Sequence, residues 1–253
     1  MEATQPLNFF DCNCVIGGRP VIHAGSFTGA DELVRKMGHY GISGAMVHHS
    51  LAGGYSPVEG NRVLMDEIAP FEQLKPVWVV MPHHTGEFPH PSVLMDELKA
   101  NGVRLVKYLP DERNFAEWYA GPLFSMLEKY NVPILIAWPQ FSNNWDILHG
   151  LLAAHPDLRV ILTNLHYNCG RYLYPLLTLF PHLYIETIGF KIFGGIEEVC
   201  GRFGAGRLVF GSCAPVYSGG SAAGMIRYAR ISEDEKRAVA GGNLTRLLEG
   251  AAL

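Results

Sequence analysis

Eleven histidines and five cysteines are spread through the 253 residues, and a few stand where chemistry is feasible. His48-His49 and His83-His84 are adjacent pairs, and MPHHTGEFPHP, dense in His and Pro, reads as a loop able to line a pocket. Neutral imidazole can take or give a proton near pH 7. Adjacent residues on a strand point to opposite faces, so at most one of each pair looks inward, and the bland reading is one packed ring beside one solvated ring. His166 is a further base. Lys107 and Asn164 carry donors suited to a developing negative charge. Glu186 is either a base or an ion-pair partner of Lys107 or Arg171 that only holds structure together. Cys213, beside Ser212, would be a nucleophile if a nearby His lowered its pKa; no partner stands at a recognisable spacing, so it reads as unreactive. Cys12 and Cys14, two apart, would share one face of a strand and read as buried small hydrophobes rather than as a metal pair.

Positioning these side chains requires a scaffold, and the sequence alternates strand-like and helix-like segments. Apolar runs rich in Val, Ile and Leu fall at Phe9–Val15, Gly44–His48, Pro76–Met81, Val103–Tyr108, Pro133–Ala137, Arg159–Asn164, Leu183–Thr187 and Arg207–Ser212, which makes eight. Amphipathic stretches such as Ala30–His39, Pro57–Ile68, Ser92–Ala100, Leu123–Tyr130, Trp145–Ala154 and Ile196–Phe203 join them. Two more helices follow Gly220, with Ser232 and Glu235 as a capping box. The expectation is an α/β fold, a (β/α)8 TIM barrel forming one domain over residues 1–253, since no long linker divides the chain. A doubly wound open sheet is the competing architecture; no GxGxxG follows the first strand and no Walker-type loop is present.

Barrel chemistry sits at the C-terminal strand ends. There the sequence places Asn13, His48, His83, Lys107, Tyr108, Trp138, Asn164, His166, Glu186 and Cys213. A strand end faces water, so each residue taken singly reads as structural. As a set they read as a pocket.

Composition narrows the partners. With 48% hydrophobic and 17% charged residues the chain can bury a large core, and a net charge of -4 without a basic run argues against nucleic acid. No apolar run is long enough to cross a bilayer, and the first residues lack a secretory pattern. An odd cysteine count without CxxC fits reduced thiols, so a cytoplasmic protein acting on a small molecule is expected, with a homodimer as the default assembly.

The segment NFFDCNCVIG resembles the opening of the amidohydrolase-related family, whose first strand ends in Asp-x-His-x-His-x-Gly. GVRLVKYLP, VPILIAW, HPDLRVILTNLHYNCGR, GAGRLVFGSCAP and GGNLTRLL continue the likeness in order over nearly the whole chain. The resemblance implies a hydrolase and decarboxylase barrel that holds a divalent metal, often zinc, through first-strand and fifth-strand histidines and an eighth-strand aspartate. Here Asn13 and Val15 replace the His pair, Ala137 the fifth-strand His, Asn164 a sixth-strand His and Cys213 the Asp; Asp11 alone is kept. Val and Ala have no donor atom and a neutral Asn is a poor zinc ligand, so no metal or other cofactor is expected. Related barrels carboxylate a strand-four lysine, but with the other ligands gone Lys107 reads as a plain cation.

Three functions follow as expectations. The first is a metal-independent hydrolase of a small carboxylated, ester-like or lactone-like substrate, with His166, Lys107, Asn164 and Glu186 catalytic and Asn13, His48, His83, Tyr108, Trp138 and Cys213 binding substrate. Metal-free lactonase-like relatives within the wider superfamily permit it. The second is a silent barrel that binds a small molecule or partner protein. The third is a metalloenzyme with a relocated site.

Overall fold

Parallel strands wrap into a closed barrel in the computed structural model, which describes residues 6–20, 22–23, 25–108, 117–141 and 144–253. Leu109 and Pro110, which end the GVRLVKYLP motif, lie outside the described residues. The strands are β1 (Phe9–Ile16), β2 (Ile42–His49), β3 (Leu74–Pro76), β4 (Trp78–Val80), β5 (Val106–Tyr108), β6 (Ile134–Ala137), β7 (Val160–Thr163), β8 (Leu183–Glu186) and β9 (Leu208–Val209). The third barrel position, expected as one strand, is split into β3, which pairs with β2, and β4, which pairs with β5. Pro76 offers no N–H to the ladder, which explains the break. Val77 keeps the halves in line by donating its N–H to the Val47 carbonyl at 2.7 Å. The seam closes where the Cys12 N–H donates to the Phe210 carbonyl at 2.9 Å and the Val15 N–H to the Ala214 carbonyl at 2.8 Å.

Helices Ala30–Tyr40, Pro57–Ile68, Pro91–Ala100, Glu117–Lys129, Trp145–Ala154, Gly170–Leu179 and Gly195–Phe203 cover the outside. Local signals start several of them. Ser56 caps the second through the Glu59 N–H, with Pro57 in its first turn, and the side chains of His90 and Asn144 cap the third and fifth. The fourth begins well before the expected Leu123 and passes through Pro122. In the tail, Ser232 and Glu235 form the expected reciprocal capping box.

Two hydrophobic layers result. The outer one lies between strands and helices. The inner one fills the barrel floor with Cys12, Met46, Val77, Leu105, Leu135, Ile161 and Val209, closed from below by Leu244, Leu247 and Leu248 of helix Asn243–Glu249. That helix is anchored by buried Asn243, whose side-chain amide donates to the Ala205 and Leu208 carbonyls at 2.8 and 2.7 Å. The Asn-x-x-Arg-Leu-Leu motif is therefore a floor plug.

One irregularity matters for the site. Asp11 pairs with Ala45 and Cys14 with Val47, so three steps along β1 match two along β2. This is a bulge, and it reverses which face later residues present. Cys12 packs in the inner layer and Cys14 in the outer one, which corrects the expectation that they share a face, although both are buried as expected.

Candidate active site

Just above the floor the inner layer turns polar. Met46, Leu105 and Tyr184 pack in or against that layer, and the period of two carries the same inward direction to His48, Lys107 and Glu186. The β1 bulge adds Asn13. These four side chains join in one network. Asn13 Nδ2 donates to Glu186 Oε1 at 2.8 Å, Lys107 Nζ donates to Asn13 Oδ1 at 3.2 Å, and Lys107 Nζ lies 3.1 Å from His48 Nε2. All are buried: Glu186 at 0%, Asn13 at 1%, His48 at 7% and Lys107 at 8% exposure. Gly211 makes room for them, since a Cβ there would lie 2.6 Å from Glu186 Cγ and 2.8 Å from Cys12 Sγ.

Burial sets the protonation states. It pushes the Glu186 carboxyl up to about 7, against the opposing pull of the Asn13 hydrogen bond and the Lys107 charge. It lowers the Lys107 ammonium from the usual lysine range, while Cys213 and Glu186 act in the other direction. Burial and then the Lys107 charge drive His48 well below the ordinary imidazole range, so its ring is neutral and accepts from Lys107. Several buried polar atoms here have no hydrogen-bond partner: His48 Nδ1, Glu186 Oε2, Thr163 Oγ1 and, beside the network, Asp11 Oδ2. Such atoms are costly to leave unpaired and concentrate where a ligand is bound.

Cys213 follows β9 with a φ of 51°, and its charge would couple to Lys107, Glu186 and Arg19. Burial pushes its thiol up to about 12, which keeps it protonated and a weak nucleophile. Arg19 was not anticipated. It sits on the loop after β1, acts electrostatically on both His48 and Cys213, and has a buried Nη1 without a partner. A lone arginine in a Gly-Gly-Arg-Pro turn carries no sequence signal of pointing at a mouth.

Other expected residues are placed elsewhere. Tyr108 faces outward, opposite Lys107, and packs on Phe124 in the outer layer, which corrects its assignment to substrate binding. His166 is exposed after β7, with Nδ1 2.5 Å from Asn168 Oδ1, and Asn164 is exposed at a φ of 56°; neither side chain bonds to the network. His83 lies against the rings of His84, tilted, and His90, edge-on, on the loop after β4, away from Lys107's direct contacts, and desolvation followed by those two rings lowers its pKa. Trp138 is buried in a 3-10 turn and stacks on Trp145 at 3.7 Å, with its Nε1 lacking a partner. His49 faces outward, caps the next helix through the Leu51 N–H and lies 3.5 Å from Glu67, so the first His pair divides between faces as alternation requires. Glu186 forms no ion pair with Lys107 or Arg171 among the described residues; Asn13 stands between it and Lys107.

The donor set does not fit the divalent metal that the family likeness implies. Val15 and Ala137 have no ligating atom, and the Lys107 ammonium lies against Asn13, the polar replacement on β1. Among the described residues no group of three His, Cys, Asp or Glu side chains is arranged to hold a metal ion.

No curated protein matches the sequence. Solved structures do resemble the fold. An uncharacterized TIM-barrel protein from Bordetella bronchiseptica aligns over 98% of this chain and 100% of its own at a TM-score of 0.73 and 17% identity. The 5-carboxyvanillate decarboxylase of Sphingomonas paucimobilis aligns over 96% and 99% at 0.74 and 13%. A probable 2-pyrone-4,6-dicarboxylic acid hydrolase from Acinetobacter baumannii aligns over 96% and 100% at 0.65 and 14%. At such identities the likeness establishes the barrel alone. The sequence model described as amidohydrolase matches residues 58–249, about three-quarters of the chain. The chain belongs to the amidohydrolase family, with the barrel of its enzymes and no metal-binding cluster among the described residues.

Proposed function

We propose that the barrel mouth hydrolyses a small carboxylated ester or lactone without a metal ion. The observation that carries this reading is the buried Glu186–Asn13–Lys107–His48 network. Glu186, near 7, exchanges protons at neutral pH and is matched to the work of a general base. Lys107, held by Asn13 and neutral His48, presents its ammonium to a carbonyl oxygen and stabilises the oxyanion in a dry setting. Water attacks the acyl carbon as Glu186 takes its proton; the tetrahedral intermediate then expels the alcohol, which receives that proton. Arg19 at the rim would hold the substrate carboxylate. Asn164 and His166, exposed on the loop after β7, are assigned to the rim rather than to the proton transfers.

Two fold neighbours lend support by name, one a hydrolase of a pyrone dicarboxylic acid and the other a decarboxylase of a carboxylated aromatic. Both names denote carboxylated cyclic compounds. The test is a panel of carboxylated lactones, aryl esters and hydroxybenzoates with chelator-treated protein. Turnover of lactones or esters that survives chelation, and falls at least about 100-fold in Lys107→Ala and Glu186→Gln, is expected. Full activity in both variants would overturn the roles. Ligand-induced thermal stabilisation with no turnover across the panel would instead favour a silent binding barrel.

A further inference from the structure

Lys107 has an unusual setting for a lysine. Its partners across the ladder are Val79 on one side and Leu135 on the other, both fully buried. Its nitrogen touches one neutral amide oxygen and one ring nitrogen, and no carboxylate lies within ion-pair distance of it among the described residues. The groups that act on it electrostatically are Glu186 from β8, Cys12 and Cys14 from β1, His48 from β2 and Cys213 after β9. Glu186 is held off by Asn13, and burial keeps the thiols protonated. Lys107 as a residue is 8% exposed, and it stands near the C-terminal end of β5, the side on which a barrel has its mouth. A desolvated lysine amine with a proton acceptor at hand is the arrangement that makes an amine nucleophilic toward carbonyl carbon.

We infer that Lys107 also captures the ketone carbon of a small 2-oxo acid as an imine. The inference rests on the reading above only in taking the mouth to accept small carboxylates. Lys107 reacts as its free amine after losing one proton to solvent, with neutral His48 Nε2 3.1 Å from Nζ. The free amine attacks the ketone carbon; the C–N bond forms, the carbonyl π electrons pass to oxygen, and one N–H proton passes by way of His48 Nε2 to that oxygen, giving a neutral carbinolamine. Protonated Glu186 then supplies a proton to the hydroxyl, which leaves as water while the nitrogen lone pair completes the C=N bond. The amine has given one proton and Glu186 one, both now in the water that carries the ketone oxygen; a protonated imine and the Glu186 carboxylate remain, with no change in oxidation state. The substrate carboxylate lies toward Arg19, which has an unpartnered buried nitrogen.

The experiment is borohydride trapping on the whole protein. Wild-type protein is incubated with pyruvate, reduced with sodium borohydride, digested and mapped by mass spectrometry. The expected result is a reduced pyruvyl adduct on Lys107, at least about tenfold above that on any of the six other lysines. Acetate, which has no ketone, gives none. A Lys107→Arg variant loses the adduct, and the wild-type map stands even if that variant fails to fold. Adducts absent from Lys107, or spread evenly over surface lysines, would overturn the inference. Hydrolysis is assayed on the same preparation. Lactone turnover without trapping leaves the hydrolase reading intact, and trapping without lactone turnover leaves the imine and removes the hydrolase.

Discussion

At the scale of single residues, the environment of Glu186 has a measurable consequence. Its folded pKa, about 7, is raised above the ordinary carboxylate value of 4.5 by burial. A raised folded value means stability that is present below the unfolded pKa and lost as pH rises through the folded one. The loss between about pH 4 and about pH 8 is about 3 kcal/mol. Glu186→Gln still accepts the Asn13 amide but cannot ionise. Its stability advantage over wild type is expected to grow across that window in urea titrations, and parallel curves would remove the raised pKa. His48 contributes the opposite sign, because its folded pKa is depressed. Its stabilising share is present above the unfolded value of 6.5 and is lost as pH falls. In the activity profile, Glu186 as base predicts a rate that rises through about pH 7 and then levels, with that limb absent in Glu186→Gln.

At the scale of elements, the site depends on a bulge and on one missing side chain. The β1 bulge is what brings Asn13 inward without turning β1 out of the seam. Gly211 gives Glu186 its space. Gly211→Ala places a methyl against both Glu186 and Cys12, and the expected cost is about 1–3 kcal/mol with loss of activity from a displaced carboxylate. Chemical denaturation together with the ester assay checks both, and a variant as active and stable as wild type would show that β8 and β9 yield easily. Below the site, Asn243→Ala leaves the Ala205 and Leu208 carbonyls without their donor and should cost about 1–3 kcal/mol while leaving KM nearly unchanged. A large shift in KM would mean that the floor plug communicates with the mouth.

At the scale of the whole molecule, the inner and outer layers are both continuous around the barrel, and the closing strand pair joins residue 12 to residue 210. Reading residues 1–253 as one cooperative unit is a proposal that predicts a single calorimetric transition, with calorimetric and van't Hoff enthalpies in agreement. Two separated transitions would divide the chain. Among the described residues no helix is long and apolar enough to cross a membrane. A homodimer is a proposal from the commonness of two-fold assemblies; sedimentation at two protein concentrations tests it, and a concentration-independent monomer would remove it.

The amino-acid order by itself determined a parallel α/β fold of eight strands and pointed to the barrel, with a doubly wound open sheet as the competitor that only the closed seam between residues 12 and 210 removed. It also determined that the usual metal donors are missing, since Val15 and Ala137 lack a ligating atom in any fold. Their positions at C-terminal strand ends placed His48, Lys107 and Glu186 at the mouth, and Asn13 joins Glu186 to Lys107 there. Only the tertiary structure decided the rest. The bulge that separates Cys12 from Cys14 and turns Asn13 inward leaves no mark in a hydrophobicity pattern, because it is a register slip between two strands distant in sequence. The exposed position of His166 apart from the network, the outward turn of Tyr108 and the arrival of Arg19 follow from loop paths and face assignment. The joining of four strands' side chains into one proton-handling network belongs to the closed barrel, where residues far apart in sequence first share one dry interior.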